Sequence, residues 1–287
     1  MRAGCRAAGA RGTCAAVLVC ALAAAIAAGC GSSLGLVRSS DTVDRSLEVA
    51  PGTPVRVEAF NGAIEVTTAA GNSLSARVER TGEGRSRSDA EADRDRIAVT
   101  FDLVDGTAVL RAVYQPNPDS IPGGRSAAVT LRVPEGTPLD LETSNGPVRV
   151  TGAAAPVAVR TSNGPVTLAG VTSAVSVETS NGPISVQADD ATADLRTSNG
   201  ALTFAGSLRA GNHAFETSNG PIELRLPTGS SFTVDAETSN GSTSTDFPLA
   251  GVATKDALRG TVGPAGEASA TSIAARTSNG SIDLRGT

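Results

Sequence analysis

The stretch RTSNGP at residues 160–165 decides how this chain is expected to fold. Close copies of it begin at residues 142, 178, 196, 216, 237 and 276, so one motif is written seven times. Spacings of 18, 18, 18, 20, 21 and 39 residues separate the motif asparagines, which are Asn145, Asn163, Asn181, Asn199, Asn219, Asn240 and Asn279. A period near 20 residues indicates a repeat architecture, in which each unit buries its apolar face against its neighbours.

Each unit has an alternating pattern that is typical of strands. Val166 and Leu168 alternate with polar or small residues after the motif, and Val175 and Val177 do so before the next motif. This period of two predicts two short strands per unit, each with one apolar face. Such strands fit either an antiparallel meander of Asn-Gly hairpins or a parallel solenoid in which each unit is one coil.

Proline decides between these two architectures. A two-residue Asn-Gly hairpin is closed by the N–H of the residue that follows the glycine. Proline, which has no N–H, occupies that place in four of the seven copies, at Pro147, Pro165, Pro183 and Pro221. The chain is therefore expected to be all-β, with a parallel β-solenoid of coils of about 18–21 residues.

In a solenoid the TSNG motif forms a structural corner. The glycine supplies a backbone conformation that most residues cannot adopt, and the asparagine can hydrogen-bond to its copy in the next coil. A ligand-binding edge of repeated asparagine and serine is the functional alternative. The predicted corner ladder consists of Asn145, Gly146, Asn163, Gly164, Asn181, Gly182, Asn199, Gly200, Asn219, Gly220, Asn240, Gly241, Asn279 and Gly280.

The residue before TSNG changes sign along the array. In chain order this column reads Glu142, Arg160, Glu178, Arg196, Glu216, Glu237, Arg259 and Arg276, where Arg259 belongs to a degenerate coil proposed at residues 259–264. The first five members alternate without exception. Stacked coils would bring these side chains about 4.8 Å apart, so alternation replaces repulsion with attraction and discourages mispairing of near-identical coils.

The N-terminus has the features of an export signal. Three arginines precede an apolar segment of 16 residues, Cys14 to Gly29, which is short for a membrane span. It ends in AAGC, which resembles the lipobox of bacterial lipoproteins and implies lipid attachment at Cys30; plain secretion with cleavage nearby is the alternative. Removal of residues 1–29 would take the net charge from −5 to −8, which argues against nucleic acid as a partner.

The domain organisation follows from these segments. We expect a signal peptide at 1–29, a lipid-anchored flexible tether at 30–45, an irregular N-terminal β region at 46–130 and the regular solenoid at 131–287. Within the N-terminal region, residues 81–96 predict a loop or a short surface helix. Residues 96–115 predict two strands around Asp105-Gly106, and Asn61-Gly62 predicts an earlier corner. The last coil is expected to form an open end, and the protein is expected to be mainly monomeric.

The repeated TSNGP units, the lead-in LRVPEGTPLDLETSNG at 131–146 and the closing GPAGEASATSIAARTSNGSIDL at 263–284 carry a family resemblance. Over roughly residues 50–287 the chain resembles the bacterial putative adhesin family, which includes LiaG-like envelope proteins. The resemblance implies a right-handed type of β-helix and an envelope location. It brings no catalytic residues.

The sequence offers little chemistry. His213 is the one histidine, either half-buried in the core or on the surface, and it makes neither a catalytic triad nor a histidine-rich metal site. No cofactor or metal is expected. We expect a non-enzymatic, exported surface binding protein with an unidentified protein or glycan ligand. The alternatives are an envelope scaffold or stress-sensing accessory protein, and a polysaccharide-acting enzyme whose candidate acids are Asp189, Asp190 and Asp194.

Overall fold

The computed structural model describes residues 35–116, 123–263 and 269–287. The predicted signal peptide and Cys30 lie outside these ranges. The one helix of the described residues is α1 (Arg87–Arg94). The strands are β1 (Val37–Glu48), β2 (Val55–Ala59), β3 (Ile64–Ala69), β4 (Ser73–Gly84), β5 (Ile97–Val104), β6 (Thr107–Tyr114), β7 (Ser126–Pro134), β8 (Leu139–Asn145), β9 (Val148–Thr151), β10 (Val157–Asn163), β11 (Val166–Val171), β12 (Val175–Asn181), β13 (Ile184–Ala191), β14 (Ala193–Asn199), β15 (Leu202–Leu208), β16 (Gly211–Asn219), β17 (Ile222–Leu226), β18 (Phe232–Asn240), β19 (Thr243–Thr245), β20 (Leu249–Ala253), β21 (Ala257–Val262), β22 (Thr271–Asn279) and β23 (Ile282–Gly286).

The strands form two sheets, and the coils run between them. Sheet A has the order β1-β4-β7-β3-β9-β11-β13-β15-β17-β23-β19, and sheet B has the order β20-β21-β18-β22-β16-β14-β12-β10-β8-β2-β6-β5. Each coil consists of one strand of sheet B, a corner and the next strand of sheet A. Equivalent strands of neighbouring coils pair in parallel, as in Val157↔Val175 and Val166↔Ile184. The predicted parallel β-solenoid is confirmed.

The alternating pattern explains which side chains enter the core. In β10, Val157 and Val159 point inward and are 1% exposed, whereas Arg160 between Val159 and Thr161 points outward. Inward residues from both sheets join one apolar cluster. Its aromatic members include Phe204 and Phe215, whose rings meet edge to face at 5.7 Å between centroids. The core thus depends on aliphatic side chains, with a few aromatic pairs packed among them.

The spatial order of the coils departs from chain order at both ends. The coil β2–β3 lies between the strands β6 and β7 and the coil β8–β9, although β6 and β7 come later in the chain. The C-terminal coil β22–β23 lies between β16–β17 and β18–β19. The coil that comes last in the given sequence is therefore an internal coil of the stack, and it pairs with a neighbour on both sides in both sheets.

This arrangement corrects two expectations about the C-terminal region. Residues 259–264 do not form a degenerate coil, because β21 runs antiparallel to β18 and places Arg259 opposite Asp235. Pro264 of that stretch lies outside the described residues. The final coil is not an open end either: β23 pairs with β17 and with β19, and the hairpin β20–β21 forms the edge of sheet B.

The N-terminal region is more regular than its composition suggests. The prediction of a flexible tether at 30–45 is wrong from Val37 onward, because β1 pairs antiparallel with β4 over twelve residues. Cross-strand ion pairs such as Arg77–Asp44, at 2.8 Å, accompany this polar edge strand. Residues 97–114 form the two predicted strands, β5 and β6, which pair antiparallel as a hairpin. The boundary predicted at residue 131 falls inside β7, and the parallel coils already include β2 and β3, which pair with β8 and β9.

The polar stretch at 81–96 contains the helix α1. Ser86 caps its N-terminus, with its Oγ accepting a hydrogen bond from the Asp89 backbone N–H while the Asp89 carboxylate accepts from the Ser86 N–H. This reciprocal pair satisfies two otherwise free donors of the first turn. The helix contacts β4 and β1.

Candidate functional site

The motif asparagines form one continuous ladder. Six of the seven donate a side-chain Nδ2 hydrogen to the Oδ1 of the asparagine in the neighbouring coil at 2.9–3.1 Å, and Asn145 accepts the first of these bonds. In space the order is Asn145, Asn163, Asn181, Asn199, Asn219, Asn279 and Asn240, so the ladder follows the coils and not the chain. Asn61 stands at the next corner and donates to the Arg125 carbonyl instead.

The glycines and threonines of the motif complete the corner. Six motif glycines have a positive φ, and each of them donates its N–H to the asparagine carbonyl of the adjacent coil. The threonines point inward and are buried, and Thr197 and Thr217 donate their hydroxyls to the Gly182 and Gly200 carbonyls at 3.1 Å. The hydroxyls of Thr161 and Thr179 are buried, and among the described residues they have no hydrogen-bond partner. The corner is thus held by the backbone, with the threonine hydroxyls adding to it in some coils.

The charge column becomes regular once spatial order is used. Because β22 lies between β16 and β18, Arg276 stands between Glu216 and Glu237. The column then alternates through seven coils as Glu142, Arg160, Glu178, Arg196, Glu216, Arg276 and Glu237. Arg259 is not a member, although it pairs with Glu237 from the antiparallel hairpin at 2.8 Å.

Three acids that lie two residues earlier in β8, β14 and β18, namely Asp140, Asp194 and Asp235, take part in this electrostatic network. Arg160 pairs with Asp140 at 3.2 Å, and Arg196 pairs with both Asp194 and Glu216 at 2.7 and 3.3 Å. Hydrogen bonding from Arg276, with a further contribution from Arg259, lowers the pKa of the Asp235 carboxyl. All of these groups are at least partly exposed, so each pair stabilises the fold by at most about 1 kcal/mol.

A column of exposed serines separates the charges from the asparagine ladder. We call the three columns together the corner face. Its serines are Ser144, Ser162, Ser180, Ser198, Ser218, Ser278 and Ser239. Serines and charges of five coils line a shallow depression of about 520 Å³. The corner face therefore offers hydroxyl, amide and charged groups at a fixed repeat of about 4.8 Å.

The structure places the remaining candidates apart from the corner face. His213 is 2% exposed; its Nδ1 accepts from the Ala193 N–H at 3.2 Å, and its Nε2 lies 2.8 Å from the Arg209 carbonyl. Burial lowers the pKa of this imidazole, which favours the neutral ring. The neutral Nδ1 accepts the Ala193 N–H in place of a backbone carbonyl. Asp190 belongs to sheet A and pairs with Arg209 at 2.8 Å, whereas Asp194 belongs to sheet B. In the described ranges no three His, Cys, Asp or Glu side chains are grouped to hold a metal ion.

Sequence reasoning missed a buried polar cluster next to α1. Asp93 and Arg125 are both less than 10% exposed and pair at 2.7 Å, and the Tyr114 hydroxyl donates to Asp93 at 2.8 Å. The Arg125 guanidinium also lies over the Tyr114 ring, 4.6 Å from its centroid. Although burial opposes ionisation, hydrogen bonds from Arg125, the Glu83 N–H and Tyr114 lower the pKa of Asp93. The partners are up to 32 residues apart in the chain, so no local pattern marks them.

Comparison with protein families identifies the array. The model of the family described as Toastrack DUF4097 matches residues 139–285, which is about half of the chain and covers every TSNG unit. A search of curated proteins finds no match. No helix of the described residues is both long and apolar enough to cross a membrane.

Solved structures with a similar chain path come from several bacteria. The chain is similar to a putative cell adhesion protein from Clostridium sporogenes, with 12% identity, a TM-score of 0.36 and coverage of 86% of this chain and 100% of that one. It is also similar to a putative adhesin from Parabacteroides distasonis, with 13% identity, a TM-score of 0.43 and coverage of 85% and 97%. A putative lipid binding protein from the same species has 13% identity, a TM-score of 0.39 and coverage of 86% and 95%.

Proposed function

This chain belongs to the Toastrack DUF4097 family, and on that premise we propose that it is an exported lipoprotein whose corner face binds a protein or glycan partner at the cell envelope, without catalysis. The corner face carries the proposal. It is an exposed, periodic surface on a scaffold held by parallel pairing in both sheets. Rigid placement of polar groups favours binding because little conformational freedom is lost on association.

Anchoring at Cys30 is supported by the sequence and by where the fold begins. The basic and apolar leader ends at Cys30, and β1 starts seven residues later at Val37. Seven residues span at most about 25 Å when fully extended. A lipid on Cys30 would therefore hold the β1 edge of sheet A close to the membrane surface.

Replacing Cys30 with serine is expected to move the protein from the membrane fraction to the soluble fraction and to abolish labelling by a fatty-acid probe. A lipidated cysteine provides the attachment, and serine cannot form the thioether. Cell fractionation with the probe measures both effects. The matched control is Cys20→Ser, which changes a cysteine of the leader and should leave both unchanged. Unchanged membrane association and labelling of Cys30→Ser would disprove the anchor.

The binding role can be tested with two matched triple variants of the soluble Cys30→Ser chain. Ser180→Arg, Ser198→Arg and Ser218→Arg would crowd the corner face with three adjacent cations. Thr167→Arg, Ser185→Arg and Thr203→Arg would make the same change on the outer side of sheet A. In pull-downs from envelope extracts, we expect the first variant to capture at least about tenfold less partner than the parent chain, which corresponds to a loss of about 1.4 kcal/mol in binding free energy. The second variant should capture as much as the parent chain.

The captured material also separates the candidate roles. A specific envelope protein would favour a scaffold or sensor, and a glycan would favour adhesion. Equal capture by both triple variants would contradict binding through the corner face, whether or not Cys30 is lipidated.

A further inference from the structure

We propose that Asn240 is a site of spontaneous deamidation, and that it is the one motif asparagine whose coil leaves this reaction open. The reaction needs no enzyme and takes water as its co-reactant. It does not depend on the proposed binding role. The last corner of the stack differs from the six other TSNG corners in the hydrogen bonding of its glycine N–H.

The reaction uses the backbone nitrogen that follows asparagine. This nitrogen, after losing its proton, attacks the side-chain Cγ, a new C–N bond closes a five-membered succinimide, and the side-chain nitrogen leaves as ammonia. Water then opens the ring at either carbonyl and yields aspartate or isoaspartate. Glycine after asparagine favours the reaction because no side chain hinders the attack. Eight Asn-Gly pairs occur in the chain, at Asn61 and in the seven motifs.

Hydrogen bonding protects this nitrogen at the other seven pairs. The glycine N–H donates to the asparagine carbonyl of the adjacent coil at 2.7–3.1 Å. A donated N–H must break its bond before the nitrogen can lose a proton, so stable pairing suppresses the attack. The bonded glycines are Gly62, Gly146, Gly164, Gly182, Gly200, Gly220 and Gly280.

Gly241 lies in the outermost coil and has no further coil to receive its N–H. Within the described part of the chain, no acceptor is hydrogen-bonded to this N–H. Gly241 is exposed, whereas the other motif glycines are half-buried. It also lacks the positive φ that those glycines share. The Gly241 nitrogen is thus accessible as a nucleophile, whereas the glycine nitrogens of the stacked corners are held in hydrogen bonds.

The side chain of Asn240 is restrained on one side only. Its Nδ2 donates to Asn279 at 3.1 Å, and its Oδ1 accepts no hydrogen bond from the described residues. Asn145 at the opposite end of the ladder provides the internal comparison. Its Oδ1 accepts from Asn163, yet the following Gly146 N–H is bonded at 2.8 Å. Comparing Asn145 with Asn240 therefore separates the effect of ladder position from the effect of the free N–H.

Deamidation would change the outermost coil. A carboxylate at position 240 cannot donate to Asn279, so the last bond of the asparagine ladder is lost. It also adds a negative charge three residues from Glu237. Isoaspartate, in addition, lengthens the main chain by one carbon at the corner. Modified protein should therefore exchange the amide hydrogens of β18 faster than fresh protein does.

Peptide mapping by mass spectrometry tests the proposal on the full chain incubated at pH 8, with a parallel sample in guanidinium chloride that gives each site its unprotected rate. We expect the native rate at Asn240 to lie within about threefold of its denatured rate, and the other seven sites to be slowed at least about tenfold. The variant Asn240→Gln should remove the signal at this site and leave the other sites unchanged. Protection of Asn240 equal to that of Asn145, or faster modification at any other motif, would overturn the proposal.

Discussion

Replacing Gly164 with alanine is expected to lower the free energy of unfolding by about 3 to 5 kcal/mol. Gly164 has φ +141°, a conformation that costs a non-glycine residue about 1 to 3 kcal/mol. In addition, a Cβ at this position would overlap the Gly146 carbonyl of the adjacent coil. That carbonyl belongs to backbone paired on both sides, so it cannot move without disturbing neighbouring corners. Denaturant unfolding of the variant measures the loss.

Gly136→Ala is the matched control for this prediction. Gly136 also has a positive φ, +73°, but a Cβ there would meet no atom within 4 Å. The control should therefore lose only about 1 to 2 kcal/mol, the cost of the left-handed conformation. Equal losses for Gly164→Ala and Gly136→Ala would show that coil stacking does not require glycine at the corner.

Reversing the charge of Arg276 is expected to cost about 1 to 2 kcal/mol at low salt. Arg276→Glu would place an acid between Glu216 and Glu237 and would remove the 2.7 Å pair with Asp235. The loss should shrink as salt rises, because exposed charges are screened. Arg276→Ala, which removes the pairs without adding repulsion, should lose less. Melting temperatures at two salt concentrations compare the variants.

Arg225→Glu makes the same change in net charge on sheet A and serves as the control. The cross-strand neighbour of Arg225 is Arg285, so the substitution replaces a like-charge contact with an opposite-charge contact. It also removes the ion pair between Arg225 and Glu223. We expect a change within about 0.5 kcal/mol. If Arg276→Glu and Arg276→Ala melt at the same temperature at low salt, the column does not stabilise the coil order.

The repeat motif was sufficient to predict the coil but not the order of the coils. Proline after glycine excluded hairpins, and the period of two identified which valines point inward, because both are local properties of the chain. Order in space is not local. All coils have the same register, so the coil at residues 271–286 could pair with any other coil. Its own sequence does not show that it lies between the coils of Glu216 and Glu237. One sequence feature does point to the inserted coil. In chain order Glu216 is followed by the like charge Glu237, and in the structure Arg276 lies between them.

The N-terminal differences have another physical origin. The stretch predicted as a tether is polar because β1 is an edge strand, and edge strands use charge to avoid pairing with other chains. Composition alone does not distinguish such a strand from a linker. The Asp93–Arg125 pair likewise depends on how α1 and the residue just before β7 come together in space, which no repeat pattern encodes. Lipidation of Cys30 and the binding partner remain predictions from the sequence and the proposed face.

Disulfide trapping in the full-length chain tests most directly whether the C-terminal coil β22–β23 lies inside the solenoid. With all four native cysteines changed to serine as background, the pair Glu216→Cys and Arg276→Cys occupies directly opposed positions of adjacent strands. The pair Glu216→Cys and Glu237→Cys lies two strand spacings apart, about 10 Å, beyond the reach of a disulfide. We predict rapid intramolecular oxidation of the first pair and none of the second. Preferential cross-linking of positions 216 and 237 would contradict the inserted coil.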